Sequence, residues 1–371
     1  MALQRYLLLV SVTIVFFLGL MMIFNTSSAD VLDRSLGKST HQALFRQVMY
    51  AAAGCLLAIP ICFIGYRNLL KMSPFLFYFF SFSLLLVFVP GIGKAFNGAK
   101  RWIGIGMYTV QPSEFVKLAV PLYYIRFFMS LKDMGMNFHS FLKIIGIITI
   151  PMLLVFLEPD TGTTGILGLL TVMLLLITRV KKKYWVLPMF AVFFFTGLFA
   201  YNMPYVRERV AVYLNPDLDR KGRGHQPYQA KIAAGSGGLF GRGIGKSLQK
   251  LNYLPEAQND YIAAIYAEEF GFLGVLFLIA LYMFIAYLGF HIAYFAADRE
   301  GFYLATAITC LISVQSFLNL GVVSGILPST GLNLPFFSQG GSSLLANIVG
   351  VAIILNISSL SEKGGNHLAL K

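Results

Sequence analysis

The sequence predicts an all-α, polytopic membrane protein: a single integral membrane domain over 1–371 with about ten transmembrane helices and one long extracytoplasmic loop. Three observations lead there. Only 12% of the 371 residues are charged and 57% are hydrophobic, whereas soluble domains carry about 25% charged residues. Apolar runs recur along the chain near the ~20-residue length that lets a helix cross a bilayer. Lys and Arg collect at alternate boundaries between those runs, as they do when cytoplasmic loops hold the positive charge. In a soluble chain the net charge of +13 would suggest nucleic acid. In the loops of a membrane protein it sets topology and meets anionic lipid, so no nucleic-acid partner is expected.

The apolar runs fall at 6–25, 45–65, 74–92, 112–130, 141–157, 162–178, 184–201, 262–290, 301–325 and 339–358. The first is followed by Ser27-Ser28-Ala29, which resembles a cleavage site, but it is longer than the apolar region of a signal peptide and reads as a retained span. The fifth and sixth are short and are separated only by Glu158-Pro159-Asp160-Thr161. With the N-terminus inside, the inner boundaries hold Arg67, Lys71, Lys132, Arg179, Lys181, Lys182, Lys183 and Arg299, so both termini are expected in the cytoplasm. Lys94, Lys100 and Arg101 lie outside against that trend. The loop from about 202 to 261 is then extracytoplasmic. It contains turn residues such as Pro204, Gly224 and Pro227 beside the apolar stretch Ile232–Phe240, which predicts a partly helical loop folded onto the membrane face. Cys55, Cys62 and Cys310 lie inside apolar runs and read as small core residues rather than disulfides or metal ligands.

The glycine-rich segment Gly235–Ser247 invites a nucleotide-binding reading and fails it. A P-loop ending at Gly245-Lys246-Ser247 requires glycine where Phe240 stands, and a dinucleotide motif from Gly241 requires glycine where Lys246 stands. Glycines that permit tight turns are the simpler account.

Four polar motifs mark the starts of spans. Gln111-Pro112-Ser113-Glu114 places proline at the first helical position, and Lys117 follows Glu114 by three residues, close enough to pair. Asp160-Thr161-Gly162-Thr163 opens another span, Asn259-Asp260 the one after the long loop, and Ser338–Ser343 the last. Each has a plain structural alternative. Acids, Asn and Ser cap helix starts. Hydroxyls such as Ser342 pack membrane helices, and Glu114 with Lys117 makes a neutralised pair. The side on which they fall argues for more. On the inside-N count all four lie at outer ends, whereas capping alone would scatter them over both faces. Glu256, Asp260, Glu268 and Glu269 concentrate acid at the end of the long loop, in a chain with only 16 acidic residues. Carboxylates in so dry a setting can act as general bases, and cations there can hold a pyrophosphate. A transporter would instead place its key charges near the bilayer midplane.

These residues carry a resemblance. NGAKRWIGIGMYTVQPSEFVKL from Asn97, EPDTGTT from Glu158, IAAGSGGLFGRGIGKSLQKLNYLPEAQNDYIAAIYAEEFG from Ile232 and GVVSGILPSTGLNLPFFSQGGSS from Gly321 resemble, in order, the motifs of the SEDS family, the FtsW/RodA/SpoVE group of bacterial membrane proteins. The likeness spans nearly the whole chain, and LQKLNYLPEA from Leu248 is more like the division-type branch than the elongation branch. It implies ten spans in the bacterial cytoplasmic membrane and peptidoglycan glycosyltransferase activity on lipid II. It also implies a class B penicillin-binding transpeptidase and other divisome proteins as partners. By this resemblance Asp260 is the essential aspartate, and Arg101, Glu114, Lys117 and Asp160 match further family motifs. The chain departs from the family at Gln258-Asn259-Asp260-Tyr261, where His-Thr-Asp-Phe is usual, at Glu158, where Gln is usual, and at Gln339, where Tyr is usual. The reading that follows makes Asp260 the catalytic base and Arg101, Lys117, Glu114, Asp160, Glu256 and Ser342 substrate-binding residues. Positive charge for the leaving pyrophosphate comes from Arg101, Lys117 or a divalent cation such as Mg or Mn. The alternatives are a lipid II flippase or scramblase, which needs no base, an elongation-type polymerase, and a purely structural scaffold for a transpeptidase.

Overall fold

A computed structural model describes residues 1–34, 41–96, 99–105, 108–131, 136–214, 224–250 and 258–364. Each expected apolar run lies in a helix, apart from a few residues at run ends: α1 (Ala2–Arg34), α2 (Gln42–Ile64), α3 (Tyr66–Leu86), α4 (Pro112–Ser130), α5 (Phe138–Leu157), α6 (Thr161–Ile177) and α7 (Lys182–Asn202). Two shorter helices follow in the long loop, α8 (Pro204–Leu214) and α9 (His225–Ser236), and then α10 (Ile262–Tyr294), α11 (Arg299–Val323) and α12 (Gly341–Gly364). Among the described residues, eight helices are long and apolar enough to cross a membrane. The two exceptions have physical reasons. The 17 residues of α6 span about 25 Å at 1.5 Å per residue, less than a hydrocarbon core. Meanwhile α4 carries Glu114, Lys117 and Arg126.

The expected start of the third span needs correction. The third span does not begin at 74: α3 starts at Tyr66, directly after Gly65, whose φ of 78° turns the chain in one residue. Arg67 and Lys71 therefore lie in the first turns of a helix, where Arg67 pairs with Asp298 at 2.7 Å. The fold is all-α as expected, and it carries one small sheet beside its helices. Between α3 and α4 it forms an antiparallel sheet in the order β1 (Gly93–Phe96), β2 (Ala99–Ile105), β3 (Tyr108–Val110). Gly93 packs so closely on the carbonyl of Val87 that a Cβ there would meet it at 1.8 Å, so the sheet is folded back on the end of α3.

The buried centre is made by α4, α11 and α12, with Val116–Ile125 of α4 continuously buried. By contrast α2 and α7 present large apolar side chains outward, among them Phe63 (86% exposed) and Leu187 (75% exposed). Such faces need lipid around them. For the same reason Cys55 and Cys62 are not core residues as the sequence suggests. They are free and exposed on α2, where an outward position is as apolar as an inward one.

Contacts define the two ends of the bundle. At one end Arg5 meets Glu362 at 3.6 Å, Tyr66 donates to Asp298 at 2.7 Å and Asn356 donates to the carbonyl of Cys62 at 2.9 Å. This terminus end gathers the start of α1 and the end of α12 with the α2–α3 and α10–α11 turns. The sheet, the α5–α6 turn, the loop before α10 and the α11–α12 loop meet at the other end.

Candidate functional site

The site is built around a helix that is broken. Gly271 in α10 has φ 65° and ψ −165°, a conformation open only to glycine, so the segment Ile262–Phe270 is a separate half-helix. Ile262–Glu269 is buried throughout. The break frees backbone groups that need partners, and the glycine-rich segment supplies them. Arg242 and Gly243 donate to the carbonyls of Glu268 and Glu269 at 3.0 Å each, and Phe272 donates to the carbonyl of Gly238 at 2.8 Å. A Cβ at Gly241 would lie 2.1 Å from the Glu269 carbonyl, which is why glycine stands there. The segment is a structural brace, as its failed nucleotide motifs imply. The side chains of Glu268 and Glu269 hold it in place. Glu268 accepts from Ser247 Oγ and from the backbone amide of Leu248 at 3.1 Å. Glu269 accepts from Lys250 Nζ at 3.0 Å and from Asn25 Nδ2 of α1 at 2.6 Å.

Asp260 sits at the opposite, leading end of this half-helix, half-buried in a cleft of about 40 Å³. The cleft is lined by Arg209 of α8, Gln226 of α9, Asp260, Tyr261, Asn319 of α11 and the strap Ser329–Leu332. Gly331 has φ 73°, and a Cβ on it would stand 3.6 Å from Asp260 Oδ2 and 3.9 Å from Arg209 Nη2, so carboxylate and guanidinium flank one small space. Arg209 Nη1 donates to the carbonyl of Ser329 at 3.1 Å, and Tyr213 donates to that of Ile326 at 2.6 Å, which ties α8 to the strap. Asn319 Nδ2 donates to the carbonyls of Asp260 at 2.9 Å and Leu332 at 2.7 Å. Burial, and then the charge of Asp260, push the Tyr261 hydroxyl above its usual range, so it stays protonated beside the carboxylate.

Two further clusters lie at the same end. Asp160 caps α6, accepting from the Thr163 amide at 3.1 Å, and also accepts from Gln111 Nε2 at 3.2 Å. Arg101 of β2 lies 3.9 Å from Asp160 and donates to the carbonyls of Glu158 and Pro159. Ser342 Oγ accepts from the Gln111 amide at 2.9 Å. Burial, then Asp160, push the Glu158 carboxyl up to about 9, with Arg101 opposing. Deeper, Lys117 is 2% exposed, held by Glu114 at 2.7 Å and by Gln315 Oε1 at 3.0 Å.

The strap joins the three groups. A Cβ on Gly162 would meet the carbonyl of Thr330 at 2.6 Å, and Gln315 donates to the carbonyl of Asn333 at 2.9 Å. The structure therefore collects Arg101, Asp160 and Ser342 in one cluster, Glu114 and Lys117 in a second, and Asp260 in a third, all at one end. Glu256 lies outside the described residues. Arg101 and Lys117 each make two close contacts within the protein, and a cation beside Asp260 is Arg209, which sequence reasoning missed. It also missed Gln315 and Asn319. Their signal was present: two amides four residues apart put a polar stripe on an otherwise apolar membrane helix. Among the described residues no group of three or more His, Cys, Asp and Glu side chains could hold a metal ion.

Comparison with known proteins gives this end a context. Residues 5–363 match the family model of FtsW, RodA and SpoVE, described as cell cycle proteins. The chain is 36% identical over 359 residues to stage V sporulation protein E of Bacillus subtilis, covering 96% of this chain and 97% of that one. It is 35% identical over 344 residues to the probable peptidoglycan glycosyltransferase FtsW of Legionella pneumophila, covering 92% and 87%. Among solved structures it matches, with a TM-score of 0.75 and 25% identity over 95% of this chain and 97% of the other, a chain from a peptidoglycan synthase complex that coordinates polymerization and crosslinking. The rod shape determining protein RodA of Thermus thermophilus matches with a TM-score of 0.68 and 23% identity over 95% of each chain, a likeness of fold alone.

Proposed function

The chain belongs to the FtsW/RodA/SpoVE family of cell cycle proteins, and we propose from that premise how it works. It is a multi-pass membrane peptidoglycan glycosyltransferase that polymerises lipid II into glycan strands for septal wall synthesis. The observation that carries the reading is the likeness, along 92% of the chain, to a probable peptidoglycan glycosyltransferase FtsW, in a structure where one end holds a carboxylate and a guanidinium around one small cleft.

In this reading Asp260 takes the proton from the acceptor sugar's 4-hydroxyl. The oxygen attacks the anomeric carbon of the donor, the bond to the donor's phosphate oxygen breaks, and undecaprenyl pyrophosphate leaves. General-base help of this kind contributes about 10²–10⁴ in rate. Arg209 is the cation best placed to stabilise the charge that develops on the leaving group. Arg101, Asp160 and Ser342, with Glu114 and Lys117 beneath them, keep the strap and the α6 start in position around the substrate. An apolar groove of about 230 Å³ between α5, α6 and α7 begins at Thr161 and Thr164, next to Asp160, and suits a polyprenyl tail. Arg67, Lys71, Arg179, Lys181, Lys182, Lys183 and Arg299 cluster at the terminus end, which supports cytoplasmic termini and a site at the outer face of the cytoplasmic membrane. The likeness to a chain of a peptidoglycan synthase complex supports a transpeptidase partner of the class B penicillin-binding type.

The test is lipid II polymerisation by the purified chain in detergent, with and without the candidate transpeptidase. Asp260→Asn and Asp260→Ala are expected to lose about 10²–10⁴ in rate. Glycan chains of wild-type length and yield from either variant would remove Asp260 from the role of base. A flippase would be indifferent to the assay, since translocation has no meaning in detergent.

A further inference from the structure

Asn319 lies on α11, the helix behind the cleft, yet it is the side chain that joins the two walls of the Asp260 site. Its two amide protons go to two main-chain carbonyls, that of Asp260 at 2.9 Å and that of Leu332 at 2.7 Å. Carbonyls only accept, so the orientation of the amide is fixed by its partners. One carbonyl belongs to the residue that carries the carboxylate. The other belongs to the strap whose Gly331 stands between Asp260 Oδ2 and Arg209 Nη2. The side chain is 2% exposed and lines the cleft. Its own Oδ1 is buried and has no donor among the described residues. A buried acceptor without a donor is a local cost, and such costs collect at functional sites. A residue serving only to fill space behind the strap would be better served by an apolar side chain.

We propose that Asn319 is a positioning residue for the glycosyl transfer: by clamping the Asp260 and Leu332 carbonyls it sets the separation between the carboxylate and the Arg209 guanidinium. The inference rests on the transferase reading given above. Its substrate class is the same, a polyprenyl pyrophosphate-linked amino sugar. The clamp acts at the chemical step. Positioning errors of about 1 Å cost about 10²-fold in rate, so loss of the clamp lowers kcat while the affinity for the lipid-linked donor, held along the rest of the site end, is kept.

The experiment uses the full-length chain, purified in detergent with its transpeptidase partner, and lipid II as substrate. Asn319→Ser removes both amide donors and leaves one shorter hydroxyl that cannot bridge the two carbonyls. It is expected to lower kcat about 100-fold with KM for lipid II within threefold of wild type, and to lower the melting temperature only by as much as the loss of two buried hydrogen bonds implies. Asn319→Asp keeps the shape and replaces the donors by acceptors. Its protonated form regains one donor, so its kcat relative to wild type is expected to rise as pH falls from 8 to 5.5 (roughly, bracketing a buried carboxyl). A kcat within threefold of wild type for Asn319→Ser, a loss confined to KM, or a pH-independent ratio for Asn319→Asp overturns the inference. Should Asn319→Ser fail to fold, the pH ratio of Asn319→Asp decides alone. Asp260→Asn is assayed beside them. If it is inactive while the Asn319 variants match wild type, this inference falls and the transferase reading stands; a wild-type chain that makes no glycan ends both.

Discussion

Glu158 is fully buried, and neither carboxyl oxygen has a hydrogen-bond partner among the described residues. Burial and the neighbouring Asp160 raise its carboxyl to about 9, so at neutral pH it carries its proton. A protonated carboxyl is close in shape and polarity to an amide, which accounts for glutamate at a position where the family resemblance leads one to expect glutamine. The sign of the pH dependence follows. Above about pH 4.5 the unfolded chain has lost this proton, while the folded chain keeps it up to about 9. Between those values the folded state binds one more proton, and stability falls as pH rises, by about 1.4 kcal/mol per unit. Glu158→Gln removes that slope. Its melting temperature is expected to exceed that of wild type by a margin that widens from pH 6 to pH 8.5 (roughly, inside that window). A margin that stays constant across the series would show that Glu158 is ionised in the fold. The acid itself was readable from the sequence, but its protonation was not, because it depends on the α6 start and β2 closing over the α5–α6 turn.

At the scale of elements, the half-helix that carries Asp260 is held at both ends. Asn319 fixes its leading residue and the Glu268–Glu269 pair fixes its trailing one to the glycine-rich brace. A nine-residue helix standing alone would be marginal, so the brace is what keeps the carboxylate in place. Gly241 is the test position. Its φ is 80°, and a Cβ would collide with the Glu269 carbonyl. Gly241→Ala is expected to cost about 1–3 kcal/mol from backbone strain alone, and more from the clash, lowering the melting temperature and the polymerisation rate together. Gly235→Ala, in α9 with nothing within 4 Å of the new methyl, serves as the control and is expected to be neutral or slightly stabilising. Equal melting temperatures for the two variants would mean that the segment is not a brace. The sequence announced these glycines as turn formers, but the break at Gly271 was not read from it, although Glu268 and Glu269 stand just before that glycine inside the run 262–290. Glycine takes φ 65° readily; what the docked brace supplies is partners for the backbone groups that the break frees. The three strands after α3 were hidden for a related reason: they are short, and their pairing is a matter of register between segments rather than of composition.

For the whole molecule, the spans were legible because each is a local property of about 20 consecutive residues, and the gathering of polar span starts at one end followed from counting them. Which side chains meet at that end was not legible. Arg101 and Lys117 read as substrate cations because they are charged and near the right boundaries; both also make contacts within the protein, and Arg209, in an unremarked stretch of the long loop, stands beside Asp260. Orientation rests on a different kind of argument. Arg5 and the seven basic residues from Arg67 to Arg299 named above, at the terminus end, outweigh Arg46 on α2 and Lys94, Lys100 and Arg101 on the short connection at the site end. Basic residues in the long loop count little, because long loops cross the membrane largely regardless of charge. The donor sugar and its pyrophosphate are therefore expected to be met outside the cell. With Cys55, Cys62 and Cys310 replaced, Lys246→Cys, exposed in the brace, is expected to react with a membrane-impermeant maleimide on intact spheroplasts. Lys182→Cys, exposed at the start of α7, is expected to react only after permeabilisation. The reverse pattern would put the Asp260 cleft in the cytoplasm, where a polymerase of exported precursor has no substrate, and the proposed reaction would have to be given up along with the topology.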